Sequence, residues 1–226
     1  MKKDDMTWEV KTKTKLFGLV FIGYGMLLSL PVQAELSSHF YAISKYLFRG
    51  IPQSGGNPAI QGVVDYQWDN GSYVGSWASI VEGGQKRDVE IDVYAGHILK
   101  LKYAVVDLGF QYYGYHHVLS NKSKQEVYSG FYLGPWAVKF HLDIEDDEVL
   151  YTRLQRDFTA PWDTQLRIAL GHQLNKERTL EDYSDFLVRI QKEVMDGLVA
   201  GIDYTDTLGR DNTVDYLSVF IKIDFI

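Results

Sequence analysis

The 226-residue chain has no cysteine, so no disulfide framework holds it together, and its five prolines impose few chain breaks. Beyond Ala34 it has no run of 18 apolar residues, so no segment there is a candidate transmembrane helix. Apolar residues at helical spacing are scarce as well. Positive charge is in deficit: 23 Lys and Arg stand against 30 Asp and Glu, a formal charge of −7. That balance gives nucleic acid no electrostatic reason to bind. Hydrophobic residues at 46% exclude a wholly disordered chain. Against these absences stand 16 Tyr, 11 Phe and 5 Trp, in a chain whose mean hydropathy of −0.19 resembles that of a soluble protein.

Lys2, Lys3, Lys11, Lys13 and Lys15 precede the nearly uncharged stretch 16–30, and Pro31-Val32-Gln33-Ala34 follows it. A basic start, an apolar core of about fifteen residues and a small residue before the cut describe a secretory signal peptide. The core falls short of the roughly 20 residues that span a bilayer. The chain therefore divides into a signal peptide, 1–34, and a mature domain, 35–226, with Met1 or Met6 as the start.

In the mature domain a period of two is nearly everywhere. Trp136, Val138, Phe140, Leu142 and Ile144 share one face of a segment whose other face carries Lys139, His141, Asp143 and Glu145. Leu217, Val219, Ile221, Ile223 and Phe225 alternate with Tyr216, Ser218, Lys222 and Asp224, and Val89, Ile91, Val93 and Ala95 with Glu90, Asp92 and Tyr94. Such alternation marks antiparallel strands with one apolar and one polar face. It predicts strands at 39–49, 58–68, 72–81, 87–98, 103–114, 125–133, 136–145, 149–159, 164–173, 183–193, 197–205 and 214–225. At about 10–12 residues each, they exceed the usual five or six of a globular sheet and match a tilted strand that crosses a bilayer.

The intervening turns alternate in length. Short ones fall at 70–71, around Lys100, and at 133–135, 160–162 and 195–197. Longer, more polar ones fall at 50–57, 82–87, 115–124, 173–182 and 206–212, and only 146–148 is short where a long loop is due. Short turns at one end and long loops at the other are the layout of a membrane barrel. The fold class is therefore all-β: a closed antiparallel up-and-down transmembrane β-barrel of about 12 strands.

In such a barrel the apolar face meets lipid and the polar face lines the lumen. Lys45, Arg49, Asp65, Glu90, Asp92, Asp107, Lys139, Asp143, Arg153, Arg167, Arg189, Asp203 and Lys222 would then point inward. A hydrated lumen removes most of the several kcal/mol that each would cost in a dry core. Tyr46, Trp68, Tyr113, Trp136, Trp162 and Tyr204, near predicted strand ends, are candidates for interfacial girdles. The chain closes on a strand-like segment with Phe225 penultimate, close to the aromatic ending that the outer-membrane assembly machinery reads.

YLFRGIPQS at 46–54, followed by PAIQG at 58–62, resembles the opening of the TorF-type porins, catalogued as the Gcw_chp family of unknown function. The similarity continues through NGSYVGSWAS at 70–79 and VEIDVYAG at 89–96. It is most specific over 39–115; beyond that it is a likeness of strand pattern and closing strand. The resemblance implies an outer-membrane barrel acting as a channel, and no substrate carries over with it.

Arg49 with Glu90 and Asp92 has two readings: a pore lining that sets charge preference, or an internal network that fixes the shear. His116 and His117 in a long loop, and His141 with Asp143, offer too few converging ligands for a metal. A lipid-facing hydrolase would need a histidine and a serine together near one rim. His172 is the one histidine that alternation places among lipid-facing residues, with no serine evidently beside it. Glycines 55–56, 71 and 83–84 are turn glycines rather than a phosphate cradle. The acidic run 145–148 reads as a solvated hairpin tip, in preference to a divalent-cation site.

The function read from the sequence is an outer-membrane channel for small polar solutes or ions, not an enzyme, without cofactor or metal. Its expected partners are outer-membrane lipid, lipopolysaccharide, the barrel assembly machinery and the solutes. The alternative is a structural or adhesive barrel without an open pore. A soluble barrel for an apolar ligand would need the apolar faces turned inward.

Overall fold

A computed structural model describes residues 34–83, 86–116, 123–145, 149–175, 181–208 and 216–225. The chain runs through β1 (Ala34–Ile43), a small hairpin of β2 (Leu47–Phe48) and β3 (Ile51–Pro52), then β4 (Ala59–Trp68), β5 (Ser72–Gly83) and β6 (Lys86–Lys100). It continues through β7 (Val105–His116), β8 (Lys124–Leu133), β9 (Trp136–Asp143) and β10 (Val149–Ala160). The last strands are β11 (Thr164–Asn175), β12 (Tyr183–Met195), β13 (Leu198–Leu208) and β14 (Tyr216–Phe225). All but β2 and β3 pair with their chain neighbours in one antiparallel sheet, which β1 closes by pairing with β4 on one side and β14 on the other. Twelve strands thus make a closed barrel with no free edge.

The alternation dictates an inside-out arrangement. Phe40, Ile60, Val93, Leu108, Leu170, Ile202 and Ile221 are exposed on the outer surface, whereas Gln61, Asp65, Glu90, Asp92, Glu126 and Arg189 are buried on the inner one. This orientation overturns the soluble, apolar-filled alternative: the continuous apolar surface faces outward, as a bilayer requires. Both ends of the described chain lie at one rim, with the short connections 69–71, 101–104, 134–135, 161–163 and 196–197. The connections at the opposite rim are 44–58, 84–85, 117–123, 144–148, 176–182 and 209–215.

Three expectations need correction. The first predicted strand, 39–49, is misplaced: the wall strand ends at Ile43, and the chain then turns into the lumen. Gly83-Gly84 suggested a long loop at 82–87, but β5 and β6 run on in register, with Glu82 opposite Arg87 and Gly83 opposite Lys86. Tyr46 and Tyr113 are no girdle residues, being buried inside the barrel. Trp136 and Trp162 are exposed at the termini rim, where Trp68 also packs edge-on against Tyr66 at 4.8 Å. Tyr204 is exposed within β13 rather than at its end, packed on Phe186 at 5.6 Å. The predicted signal segment up to residue 33 lies outside the described residues, as do His117 and 146–148 of the acidic run.

Inward-facing glycines explain much of the tyrosine. Tyr73, Gly96, Gly109 and Tyr128 are successive cross-strand partners on β5 to β8. The two rings lie over the two glycines and their hydroxyls meet above them, with Asp107 accepting from Tyr73. A Cβ on Gly96 would fall 2.2 Å from the Tyr73 hydroxyl, and one on Gly109 would fall 2.1 Å from that of Tyr128. Tyr94 covers Gly75 and donates to Asp65 at 2.7 Å, and Tyr151 covers Gly171 and donates to Asp185 at 2.9 Å. Side chains, flat against the wall, panel the lumen.

Candidate functional site

The segment 44–58 is the element that the wall does not need. It leaves β1 at the long-connection rim, folds inward and returns to β4. Phe48 pairs with Ile51, so Arg49-Gly50 is a two-residue hairpin turn. Both residues have positive φ, 50° and 78°, as a type I′ turn requires. Gly50 fits closely against the far wall: a Cβ there would lie 2.6 Å from Thr207 Cγ2 and 2.9 Å from Asp185 Cβ. Tyr46 packs on Trp77 at 5.3 Å, and its hydroxyl points to Glu90 at 3.4 Å. Burial, followed by the Glu90 and Asp92 carboxylates, raises the Tyr46 phenol well above its ordinary pKa. The insert therefore crosses the lumen from β5 and β6 to β12 and β13.

Arg49 is the centre of this contact. Its Nη1 and Nη2 donate to Glu126 Oε1 and Oε2 on β8 at 2.9 and 2.8 Å, a bidentate pair with both side chains buried. The guanidinium also lies 4.2 Å from the Tyr151 ring centroid and 4.6 Å from that of Phe48, its chain neighbour. Glu126 accepts from Tyr113 Oη at 2.6 Å and from Lys124 Nζ at 2.7 Å, and His141 Nδ1 is 3.4 Å away. Lys124 reaches Asp143 at 3.5 Å, and Asp143 is Glu126's direct cross-strand partner.

The remaining sequence-predicted residues distribute around this latch. Lys45 is not on a wall strand: its backbone N and O both bond to Ser218 Oγ, and its Nζ is 5.4 Å from the Tyr216 ring. Arg49, expected at the end of the first strand, sits instead at the hairpin tip of the insert. Glu90 accepts from Tyr115 at 2.9 Å, and Asp92 accepts from Gln111 at 3.0 Å. Arg167 pairs with Asp157 at 2.8 Å and Arg189 with Asp203 at 2.6 Å, in one row in which Arg167 and Arg189 are direct partners. Lys139 and Arg153 are likewise direct partners, both buried on the inner face, with Lys139 Nζ 5.8 Å from Tyr132. Lys222 pairs with Asp224 at 2.8 Å near the termini rim.

Acids dominate one wall: on β4 to β8, Asp65, Asp88, Glu90, Asp92, Asp107 and Glu126 face inward with Lys124, whereas on β9 to β12 the inward cations Lys139, Arg153, Arg167 and Arg189 are interspersed with Asp143, Asp157 and Asp185. One hollow of about 20 Å³ lies beneath the insert, against Lys45, Tyr46 and Arg189, and another of about 10 Å³ lies between Gln111 and Lys139. Each has room for about one water. Among the described residues, the insert reaches across the lumen from one wall to the other.

Glu126, Tyr113, Tyr151 and Asp185 were not among the sequence-predicted lining. Alternation through Glu126, Tyr128 and Gly130 would have placed Glu126 inward; its pairing with a residue 77 positions earlier carries no local signal. The expectation for His172 was also incomplete. His97 shares the outer face, and each imidazole has a serine opposite it: Ser184 Oγ at 2.9 Å from His172 Nδ1, and Ser72 Oγ at 3.0 Å from His97 Nδ1. The same cross-strand pair near both rims satisfies an imidazole at the edge of the apolar belt.

Solved structures share this architecture. A KdgM porin aligns with a TM-score of 0.61 at 11% identity, over 84% of this chain and 99% of that one. An outer membrane channel from Pseudomonas putida F1 aligns at 0.54 and 12% identity, over 90% and 99%. The outer membrane protein Omp33 of Acinetobacter baumannii aligns at 0.50 and 10% identity, over 87% and 100%. At these identities the likeness is one of fold. No curated protein sequence matches the chain. Residues 32–220 match the family described as a bacterial protein of unknown function (Gcw_chp), and the chain belongs to that family.

Proposed function

We propose that this protein is an outer-membrane channel for small polar solutes or ions, closed by its own insert. One observation carries the reading: the element that crosses the lumen lies outside the barrel's ladder, docked by side chains and isolated backbone bonds. Withdrawal of 44–58 would leave the twelve-strand sheet intact. The porin and channel neighbours favour the same role, and one KdgM structure is described as a complex with disordered oligogalacturonate, in keeping with polar cargo for this fold. Export by the segment 1–34, insertion by the assembly machinery, and lipid and lipopolysaccharide around the apolar belt complete the reading. The long-connection rim then faces outside, and the opening motif fits a TorF-type porin. The inward residues Asp65, Glu90, Asp92, Asp107, Lys139, Asp143, Arg153, Arg167 and Arg189 line the pore once the insert leaves, and Lys45 and Arg49 act as the gate.

A lumen crossed by the insert also suits a second reading, a structural barrel without a pore. Replacing residues 46–54 by a glycine–serine linker of equal length separates the two. In planar bilayers the wild type should be mostly silent, and the replacement should give frequent, discrete conductance steps. A replacement variant that is silent, yet folded by its heat-modifiable gel mobility, would reject the channel and leave the structural barrel.

A further inference from the structure

Arg49 occupies a place with the makings of a ligand site. One wall supplies a carboxylate, Glu126, oriented by the Tyr113 hydroxyl at 2.6 Å; the next strands supply the face of Tyr151, 4.2 Å from the guanidinium carbon. A buried carboxylate with an aromatic face recognises a flat or alkylated cation: charge is met at one edge, and the ring quadrupole attracts it at the other. All three wall residues belong to the barrel and stay in place when the insert leaves. The guanidinium is thus a tethered occupant.

We propose that Glu126, Tyr113 and Tyr151 form a binding site for small organic cations bearing guanidinium or alkylammonium groups, and that such a solute opens the channel by taking the place of Arg49. The inference gives the channel reading its substrate class and rests on that reading for its role in transport. The surroundings favour a cation over an anion. Arg49 pairs with Glu126, and Lys124 bridges Glu126 to its cross-strand partner Asp143, so removing Arg49 leaves this group of four one negative charge in excess; Arg153, two residues from Tyr151, and its partner Lys139 are the inward cations on the other side of the site. The insert also withdraws Lys45 from the lumen, and the wall it uncovers carries Glu90, Asp92 and Asp107 on its inner face. An inward array of carboxylates attracts cations and repels anions. Lys124 touches the same Glu126 but is partly exposed at the rim, so it screens the site without filling the space over Tyr151.

The probe is guanidinium chloride at millimolar concentration, far below denaturing levels, with sodium chloride as the reference. Calorimetric titration of the full-length barrel in detergent micelles should give saturable guanidinium binding to Arg49→Ala. Binding should be about tenfold weaker in wild type, where Arg49 competes, and about tenfold weaker again when Glu126→Gln is added to Arg49→Ala. In bilayers, the same concentrations should reduce the conductance of Arg49→Ala while sodium does not. Should Arg49→Ala fail to fold, Arg49→Lys keeps the charge without the bidentate fork, and guanidinium should compete with it about tenfold better than with arginine. Equal effects of guanidinium and sodium, or binding indifferent to Glu126→Gln, would overturn the site. Micelle titration needs no conduction, so the two readings fail separately. Saturable binding with no conductance rejects the channel and keeps the site, and conductance without binding does the reverse.

Discussion

The wall and the insert are built from the same chain by opposite means. Wall strands are fixed by continuous backbone ladders, by an outer face that only lipid can cover, and by tyrosines bedded on glycines of the next strand. The insert has one short hairpin, a few backbone bonds such as Glu82 N–H to Gln53 O at 2.8 Å, and the Arg49–Glu126 pair. One region is therefore rigid through redundancy. The other is held outside that ladder, by contacts such as Arg49–Glu126 and Tyr46–Trp77 and by isolated backbone bonds. A segment that opens is drawn from the least redundant part of a structure, so on the channel reading the insert is the part that moves and the wall is its frame.

Breaking the wall should do the most damage. Val138→Arg or Ile221→Arg places a guanidinium on the lipid face and should cost roughly 2–4 kcal/mol near the midplane. Urea titration of the folded band on gels would measure it, and normal assembly of both variants would mean that the faces are reversed. Gly109→Ala tests the panelling: the new methyl meets the Tyr128 ring and, at 2.7 Å, the Ala95 carbonyl oxygen. A loss of about 2 kcal/mol of barrel stability is expected from such overpacking, with insert contacts unchanged. Gly50→Ala acts on the insert alone. A left-handed position and the contact with Thr207 should loosen its docking by about 1 kcal/mol. The readouts are faster proteolysis within 44–58 and longer open times, with the unfolding midpoint of the wall unchanged.

The same contrast governs what was legible in the sequence. Strand positions from β4 onward follow from alternation, because lipid on one side and a polar lumen on the other impose a period of two on every wall residue. Face assignments such as Val138 against Lys139 follow directly. The insert follows another rule. Tyr46-Leu47-Phe48-Arg49 is apolar and aromatic enough to pass for the continuation of a strand, and the residues that explain it are Trp77, Glu90, Glu126 and Tyr151 on distant strands. The one local clue was Arg49-Gly50, a pair suited to a tight turn but read as a strand end. Tyrosine was misleading for a related reason. Composition suggests interfacial girdles, whereas Tyr73, Tyr94, Tyr128 and Tyr151 each lie over a glycine one strand away, visible only once the register is known.

If the insert is the gate, the turn at Arg49 carries a consequence for how often the barrel opens. A non-glycine residue in the left-handed region costs about 1 kcal/mol, and asparagine is the residue a type I′ turn prefers at this position. Arginine stands there at a conformational loss that its bonds to Glu126 must offset. The backbone behaves as a spring compressed by the ion pair. A bias of that size multiplies the open-to-closed ratio about fivefold. On that reading, the side chain that fastens the insert also sets, through a single torsion of its own main chain, how readily the fastening gives way.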